Sequence, residues 1–245
     1  MFKKATRSQV KLKLALAGPS GSGKSYSALA LATGLTQALG GKIAAVDTEN
    51  NSLALYSDKF AFDSVCMNSP YTTEKYIRAM QEAEAQGYTC LILDSLSAQW
   101  AGEGGILDRK ARLDSRGGNS FTNWNQMTPE QELFKAAILK SNIHLICTMR
   151  SKQDYILQED RGKQRPVKIG MAPIQRDDLS YEFSVVFDIA SDHSAIASKD
   201  RTGLFSVTTP FTVTDSTGAL LAQWLSQNQD APTTTNPQSD LAQVV

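Results

Sequence analysis

The chain predicts an α/β domain with a mostly parallel central sheet flanked by helices and with antiparallel strands toward its C-terminus. Three observations predict it. Short apolar runs (KIAAVD, TCLILD, IHLICT) read as strands buried on both faces. Helix-patterned segments alternate with them, as parallel strand pairing requires. A Gly/Ser-rich loop joins the first strand to the first helix. At 245 residues the chain buries about 70% of its unfolded surface and folds without a disulfide or metal staple.

Taken in order, residues 11–17 (KLKLALA) alternate and then turn apolar, as a strand entering a buried sheet does. Residues 18–23 form the loop, and 25–39 an Ala/Leu-rich helix stopped by Gly40-Gly41. Strands follow at 42–47 and, more weakly, at 62–67, then a helix over 72–86 and a strand over 89–94. Residues 95–128 are polar and glycine-punctuated. Residues 129–141 predict a helix with Pro129 in its first turn and Glu130 and Glu132 near the positive end of its dipole. After a strand at 143–148, residues 154–169 predict a hairpin of YILQ and PVKI around EDRGK. Strands at 183–190 and 195–199 and a helix at 217–226 complete the domain. Three parts result: a basic extension over 1–10, a domain over 11–226, and a polar, low-complexity tail over 227–245 that predicts disorder.

The formal net charge is zero, with 25 Lys+Arg against 25 Asp+Glu, which excludes a uniformly basic coat protein and an acidic disordered chain. The balance is local, however. Residues 1–13 hold five basic side chains and no acid, and residues 150–176 hold seven against three, so the other 205 residues carry −9. Cys66, Cys90 and Cys147 each lie in an apolar run without ligand spacing, which predicts reduced buried thiols and a reducing cytosol. His144 and His193 are far apart in sequence and argue against a Ser-His-Asp triad or a zinc site. No apolar run reaches the length of a membrane span, and the basic N-terminus lacks the apolar core of a signal peptide.

Gly18-Pro19-Ser20-Gly21-Ser22-Gly23-Lys24-Ser25 matches G-x-x-x-x-G-K-[ST]. Glycines let consecutive N–H groups point inward around a phosphate, and the following helix adds its dipole. Lys24 supplies a charge for the β- and γ-phosphates, Ser25 a hydroxyl for Mg²⁺, and Tyr26 continues the binding segment. Asp94, closing CLILD, is the acid expected to hold Mg²⁺ through water. Carboxylates at the carboxyl ends of parallel strands face the ligand crevice. Glu49 in VDTEN is accordingly the candidate general base, with Asp47 the alternative.

GPSGSGKS, then VDTE after the second strand, then CLILDS, together resemble the RecA-like ATPase core. Residues 174–183 (IQRDDLSYEF) and 188–203 (DIASDHSAIASKDRTG) are similar to phage-encoded nucleotide-binding proteins of RecA-like type, some of which are single-strand annealing recombinases. The resemblance implies ATP and Mg²⁺ as ligands, an acid past the second strand that activates water, and a role in DNA recombination or repair in a bacterial or phage-infected host cytosol. Lys199-Asp200-Arg201 resembles the Lys-x-Arg element that such cores insert into a neighbour's active site, which implies a homo-oligomer. RecA ends the strand before its second DNA-binding loop with a glutamine that senses the γ-phosphate. Here that strand ends Cys147-Thr148-Met149-Arg150, leaving Thr148 or Arg150 for the role.

The basic stretch that follows holds Arg150, Lys152, Arg161, Lys163, Arg165, Lys168 and Arg176, with Tyr155 available to stack on a base. Residues 100–124 carry Trp100, Arg109, Lys110, Arg112, Arg116, Phe121 and Trp124 after the Asp94 strand. Cations interleaved with aromatics suit sequence-tolerant binding of single-stranded DNA; a solvated hairpin or an oligomer interface is the alternative. That role implies a single-strand-binding protein as a further partner. Two other classes share the loop: a small-molecule phosphotransferase, and a nucleotide-switched assembly protein without strong turnover. Ser151-Lys152-Gln153-Asp154 matches the guanine-reading [NT]KxD only loosely, because its first residue is wrong.

Overall fold

The computed structural model describes residues 2, 5–117, 119–160 and 163–227, without the side chains of Ser8 and residues 153–170. The strands, in chain order, are β1 (Lys13–Gly18), β2 (Ile43–Asp47), β3 (Asp63–Cys66), β4 (Cys90–Asp94), β5 (His144–Asp160), β6 (Lys163–Pro173), β7 (Val185–Ile189), β8 (Ser194–Asp200) and β9 (Phe211–Thr212). The helices are α1 (Lys24–Leu39), α2 (Thr73–Ala85), α3 (Leu96–Ala101), α4 (Ile106–Ser115), α5 (Ser120–Lys140) and α6 (Asp215–Ser226).

The sheet runs β3-β2-β4-β5-β1-β7-β8-β9, with β6 paired to β5 alone. From β3 to β7 all neighbours are parallel. The β7–β8, β8–β9 and β5–β6 pairs are antiparallel. The expected α/β architecture is thus the one observed. Alternation along β1 divides the core into two layers. Leu14 and Leu16 pack with Leu31, Ile92, Phe187 and Leu221 under α1 and α6. Ala15 and Ala17 face the other way, with Leu91, Leu93, Tyr76, Phe134 and Ile138 under α2 and α5. Each fully buried Leu or Phe contributes about 1.5–3 kcal/mol. Two helices approach to backbone contact: a Cβ on Gly34 would stand 1.8 Å from the Asp215 carbonyl oxygen, and one on Gly218 2.1 Å from that of Leu31. α6 therefore lies directly on the helix that leaves the phosphate loop.

The polar stretch over 95–128 folds into α3, α4 and the first part of α5. Rather than starting at Pro129, α5 starts nine residues earlier, and Pro129 lies inside it. Asn119 caps it, its side-chain oxygen accepting from the Phe121 N–H at 2.8 Å. The buried residues Asn123, Met127, Gln131, Phe134 and Ile138 keep one helical face continuous past the proline. Tertiary packing here outweighs the one hydrogen bond that proline removes. Three of the buried polar residues are glutamines. Gln99 Nε2 donates to Gln131 Oε1 (3.3 Å), Gln131 Nε2 to Gln175 Oε1 (3.4 Å), and Gln175 Nε2 to Gln99 Oε1 (3.4 Å), a closed ring joining α3, α5 and the segment after β6.

The predicted hairpin exists and is longer than its apolar segments suggested. β5 continues without a break from the sheet into the hairpin, which is paired from Ser151↔Pro173 to Asp160↔Lys163. The expected tail falls almost wholly on residues 228–245, outside the described residues. At the other end of the domain, Arg7 stacks its guanidinium 4.5 Å from the Trp224 ring centroid on α6.

Candidate nucleotide-binding site

The carboxyl ends of β1, β2, β4 and β5 open into one cavity of about 770 Å³, lined by Ser20, Gly21, Gly23, Lys24, Ser25, Tyr26, Glu49, Asp94 and Arg150, among others. β1 ends at Gly18, where a Cβ would lie 2.5 Å from the Ile189 carbonyl oxygen and 2.6 Å from Ser22 Oγ. Only glycine lets the loop turn there. Gly23 carries φ +86 immediately before α1, a left-handed conformation that side chains rarely adopt. Pro19 closes the loop, its carbonyl accepting from Ser22 N at 3.3 Å and from Lys24 Nζ at 2.7 Å.

Ser25 and Asp94 meet as the motif requires. Ser25 Oγ donates to Asp94 Oδ2 at 2.6 Å, and the buried Thr148 hydroxyl donates to Asp94 Oδ1. Burial pushes the Asp94 pKa up, against the lowering effect of those two hydroxyls. Burial likewise lowers the Lys24 pKa, against the opposing pull of Asp94 and Glu49. A buried carboxylate beside a hydroxyl is an all-oxygen donor set suited to Mg²⁺, and a cation there favours the ionised carboxylate. Within the loop itself, Ser22 Oγ is buried without a hydrogen-bond partner. The residues present thus fit a Mg²⁺-nucleotide.

Asp47 and Glu49 separate clearly. Asp47 is fully buried, and its carboxylate accepts from Glu49 N (2.6 Å), Leu53 N (2.7 Å) and Ser52 Oγ (3.4 Å). It ties down the loop that carries Glu49. Glu49 lines the cavity, where its Oε1 accepts from Arg150 Nε (2.9 Å) and forms an ion pair with Nη2 (2.8 Å). Of the two sensor candidates, Arg150 faces the cavity, while Thr148 spends its hydroxyl on Asp94. Tyr26 stands edge-on to Tyr56 (5.8 Å) and Phe60 (5.1 Å), making an aromatic wall.

The other expected groups lie elsewhere. Lys199 and Arg201 sit at the far end of β8, beside Val186 and Ser184 rather than beside the phosphate loop. Lys199 Nζ donates to the Ser180 and Tyr181 carbonyls at 3.1 and 2.8 Å; Arg201 is exposed. Lys152 is exposed at the root of the hairpin. The side chains of Tyr155, Lys163, Arg165 and Lys168, and the whole of Arg161, lie outside the described residues. The 100–124 segment folds into α3, α4 and the start of α5. Its cations are largely neutralised within the helices, Arg109 on Glu130, Lys110 on Asp114 (2.6 Å) and Arg112 on Asp108 (2.8 Å). Its aromatics remain a surface feature. Trp100 and Trp124 stack at 5.9 Å, and with the exposed Phe121, Lys152 and Arg176 they line a second cavity of about 540 Å³.

Tyr56, His193, Thr212 and Val213 also line the cavity, and no sequence motif assigns them to it. Only the SDHS turn composition around His193 marks anything locally, and it marks a turn, not proximity to the loop.

No curated protein matches the chain. Among solved structures, a KaiC-like protein from the hyperthermophilic archaeon Pyrococcus horikoshii OT3 aligns at 13% identity and TM-score 0.48, over 82% of this chain and 85% of that one. No helix among the described residues is long and apolar enough to cross a membrane. One family covers most of the sequence, from residue 10 to residue 215, and takes in the loop, Glu49 and Asp94 together: the chain belongs to the family described as AAA domain.

Proposed function

We propose that this chain is a Mg²⁺-dependent ATPase of DNA recombination or repair that binds single-stranded DNA as a homo-oligomer, in a single-strand annealing or RecA-like role. The observation that carries the ATPase part is the convergence of Lys24, Ser25, Asp94 and Glu49 on one cavity at the carboxyl ends of parallel strands. Ser25 and Asp94 would hold Mg²⁺, which when bound neutralises charge building up on the phosphates. Lys24 leaves the Pro19 carbonyl to meet the β- and γ-phosphates. Glu49, freed from Arg150, accepts a proton from the attacking water as the water oxygen bonds to the γ-phosphorus and the bond to the ADP oxygen breaks. Arg150 is then available to the γ-phosphate.

Support for a polymer ligand is twofold. Arg150 stands at the root of a hairpin that carries the basic stretch, and the Trp100–Trp124–Phe121 surface offers rings on which bases stack. A single-strand-binding protein is the partner this role implies. The position of Arg201, on a strand end away from its own cavity, supports completion of the site in trans.

ATPase rates with and without single-stranded DNA test the proposal. Lys24→Ala and Glu49→Gln both lose turnover, and only Glu49→Gln keeps ATP binding. Arg201→Ala loses turnover alone and regains part of it when mixed with Lys24→Ala. If DNA neither binds nor alters turnover, the recombination role fails. One observation favours a second reading, a nucleotide-switched assembly protein with little turnover: Arg150 holds Glu49 through a hydrogen bond and an ion-pair contact. Tight ATP binding with no turnover, even with DNA present, selects that reading.

A further inference from the structure

We propose that His193 is a nucleotide-binding residue whose imidazole donates to the phosphate chain from the flank of the loop away from Asp94 and Glu49. The inference rests on the cavity being a nucleotide site. Sheet order supplies the argument. Asp94, Glu49 and Arg150 come from β4, from the loop after β2, and from β5, all on one side of β1, whereas β7 adjoins β1 on the other. β7 leads into a turn whose His193 N–H donates to the Ala190 carbonyl at 3.0 Å. That turn brings the ring over the phosphate loop: His193 Nδ1 is 3.2 Å from where a Cβ on Gly23 would stand. The absence of a side chain at Gly23 makes the room.

The same cavity continues past His193 to Thr212 on β9 and Val213 just after it, still further from Asp94 in the sheet order. A nucleotide whose terminal phosphate lies at Ser25 and Asp94 and whose remainder extends along the cavity passes His193 with its inner phosphates. The ring is free for that contact. It is exposed, and its neighbour Asp192 is occupied by Ser194 N (3.0 Å) and Ser194 Oγ (2.6 Å). His193 itself carries φ +67, a conformation that Asn, Asp and His tolerate best among side-chain-bearing residues.

This backbone setting separates a contact from a turn-forming role. If His193 only shapes the turn, Asn replaces it well and Arg poorly. If it contacts phosphate, Arg replaces it well and Asn poorly. Calorimetric titration of ADP with Mg²⁺ into wild type, His193→Asn and His193→Arg reads the difference. The expected result is an affinity about tenfold lower for His193→Asn and near wild type for His193→Arg, since a hydrogen bond to a charged group is worth about that much. Equal affinity in wild type and His193→Asn, or a greater loss in His193→Arg than in His193→Asn, overturns the inference while leaving the nucleotide site intact. A wild type that binds no ADP, or a Lys24→Ala that binds it as well as wild type, removes the nucleotide reading and this inference with it.

Discussion

Asp47 spends its carboxylate on the backbone and hydroxyl of its own loop, so the acid that reaches the cavity is Glu49, two residues on. The restraint on Glu49 is Arg150. Both side chains are partly exposed, 55% for Arg150 and 34% for Glu49, and such a pair is worth about 0.2–1 kcal/mol. Arg150→Ala lifts that restraint but also removes the cation proposed to meet the γ-phosphate, and the second effect is the larger, so basal turnover is expected to fall and any response to DNA to be blunted. A steady-state phosphate-release assay checks both; unchanged basal turnover would show that Arg150 makes no such phosphate contact. At this scale the sequence was informative where chemistry is contiguous. Gly18 to Ser25 carry their meaning in adjacent positions, and Asp94 and Glu49 follow from strand ends. His193 and Tyr56 enter the cavity only through strand order and a loop path, which no local pattern encodes.

Among elements, α1 matters most because it begins at the phosphate loop, and α6 is pressed against it. A methyl at Gly218 would meet the Leu31 carbonyl and the Leu35 backbone nitrogen, at 2.1 and 2.8 Å, so the helices must part to accept it. Gly218→Ala is expected to cost about 1–3 kcal/mol and to lower Tm by several degrees, measured by thermal unfolding. An unchanged Tm would mean that the two helices are not held at this contact. The apolar strands were legible because burial on both faces leaves an unbroken run. α3 to α5 were not, because their buried faces are partly polar. Gln99, Gln131 and Gln175 find their partners inside the protein, in one another, in Thr73 Oγ1 and in the Leu96 carbonyl, yet each reads as surface in sequence. Pro129 then marked a helix start where the chain has a helix interior.

For the whole molecule, the edge away from the cavity sets a pH limit on stability. His144 is buried, and its Nδ1 accepts from Leu12 N at 3.0 Å, which requires the neutral ring on that side. Burial, helped by Lys11 and Lys13, lowers its pKa from 6.5 to about 4. The folded chain thus binds this proton less well than the unfolded chain. Stability is fully present above about pH 6.5 and falls as pH drops toward 4, by about 3 kcal/mol for this group. Urea titrations at pH 7 and pH 4.5 are expected to show the loss. His144→Asn, which keeps an acceptor but cannot titrate, is expected to show a smaller one; an equal loss in both would place the acid sensitivity elsewhere.

β5 crosses from the sheet into the hairpin as a single strand. Beyond Arg150 it continues through Asp160, ten residues at roughly 3.3 Å each, or about 33 Å of projecting arm. Its pivot is pinned: Arg150 N donates to Ser97 Oγ at 2.9 Å, and the Arg150 carbonyl accepts from Ile174 N at 2.6 Å. A tilt of about 10° at that pivot sweeps the far end through about 6 Å. By the same leverage, a displacement of several ångströms at the tip reaches the guanidinium beside Glu49 as a few tenths of an ångström, enough to lengthen and weaken the 2.8 and 2.9 Å contacts between them.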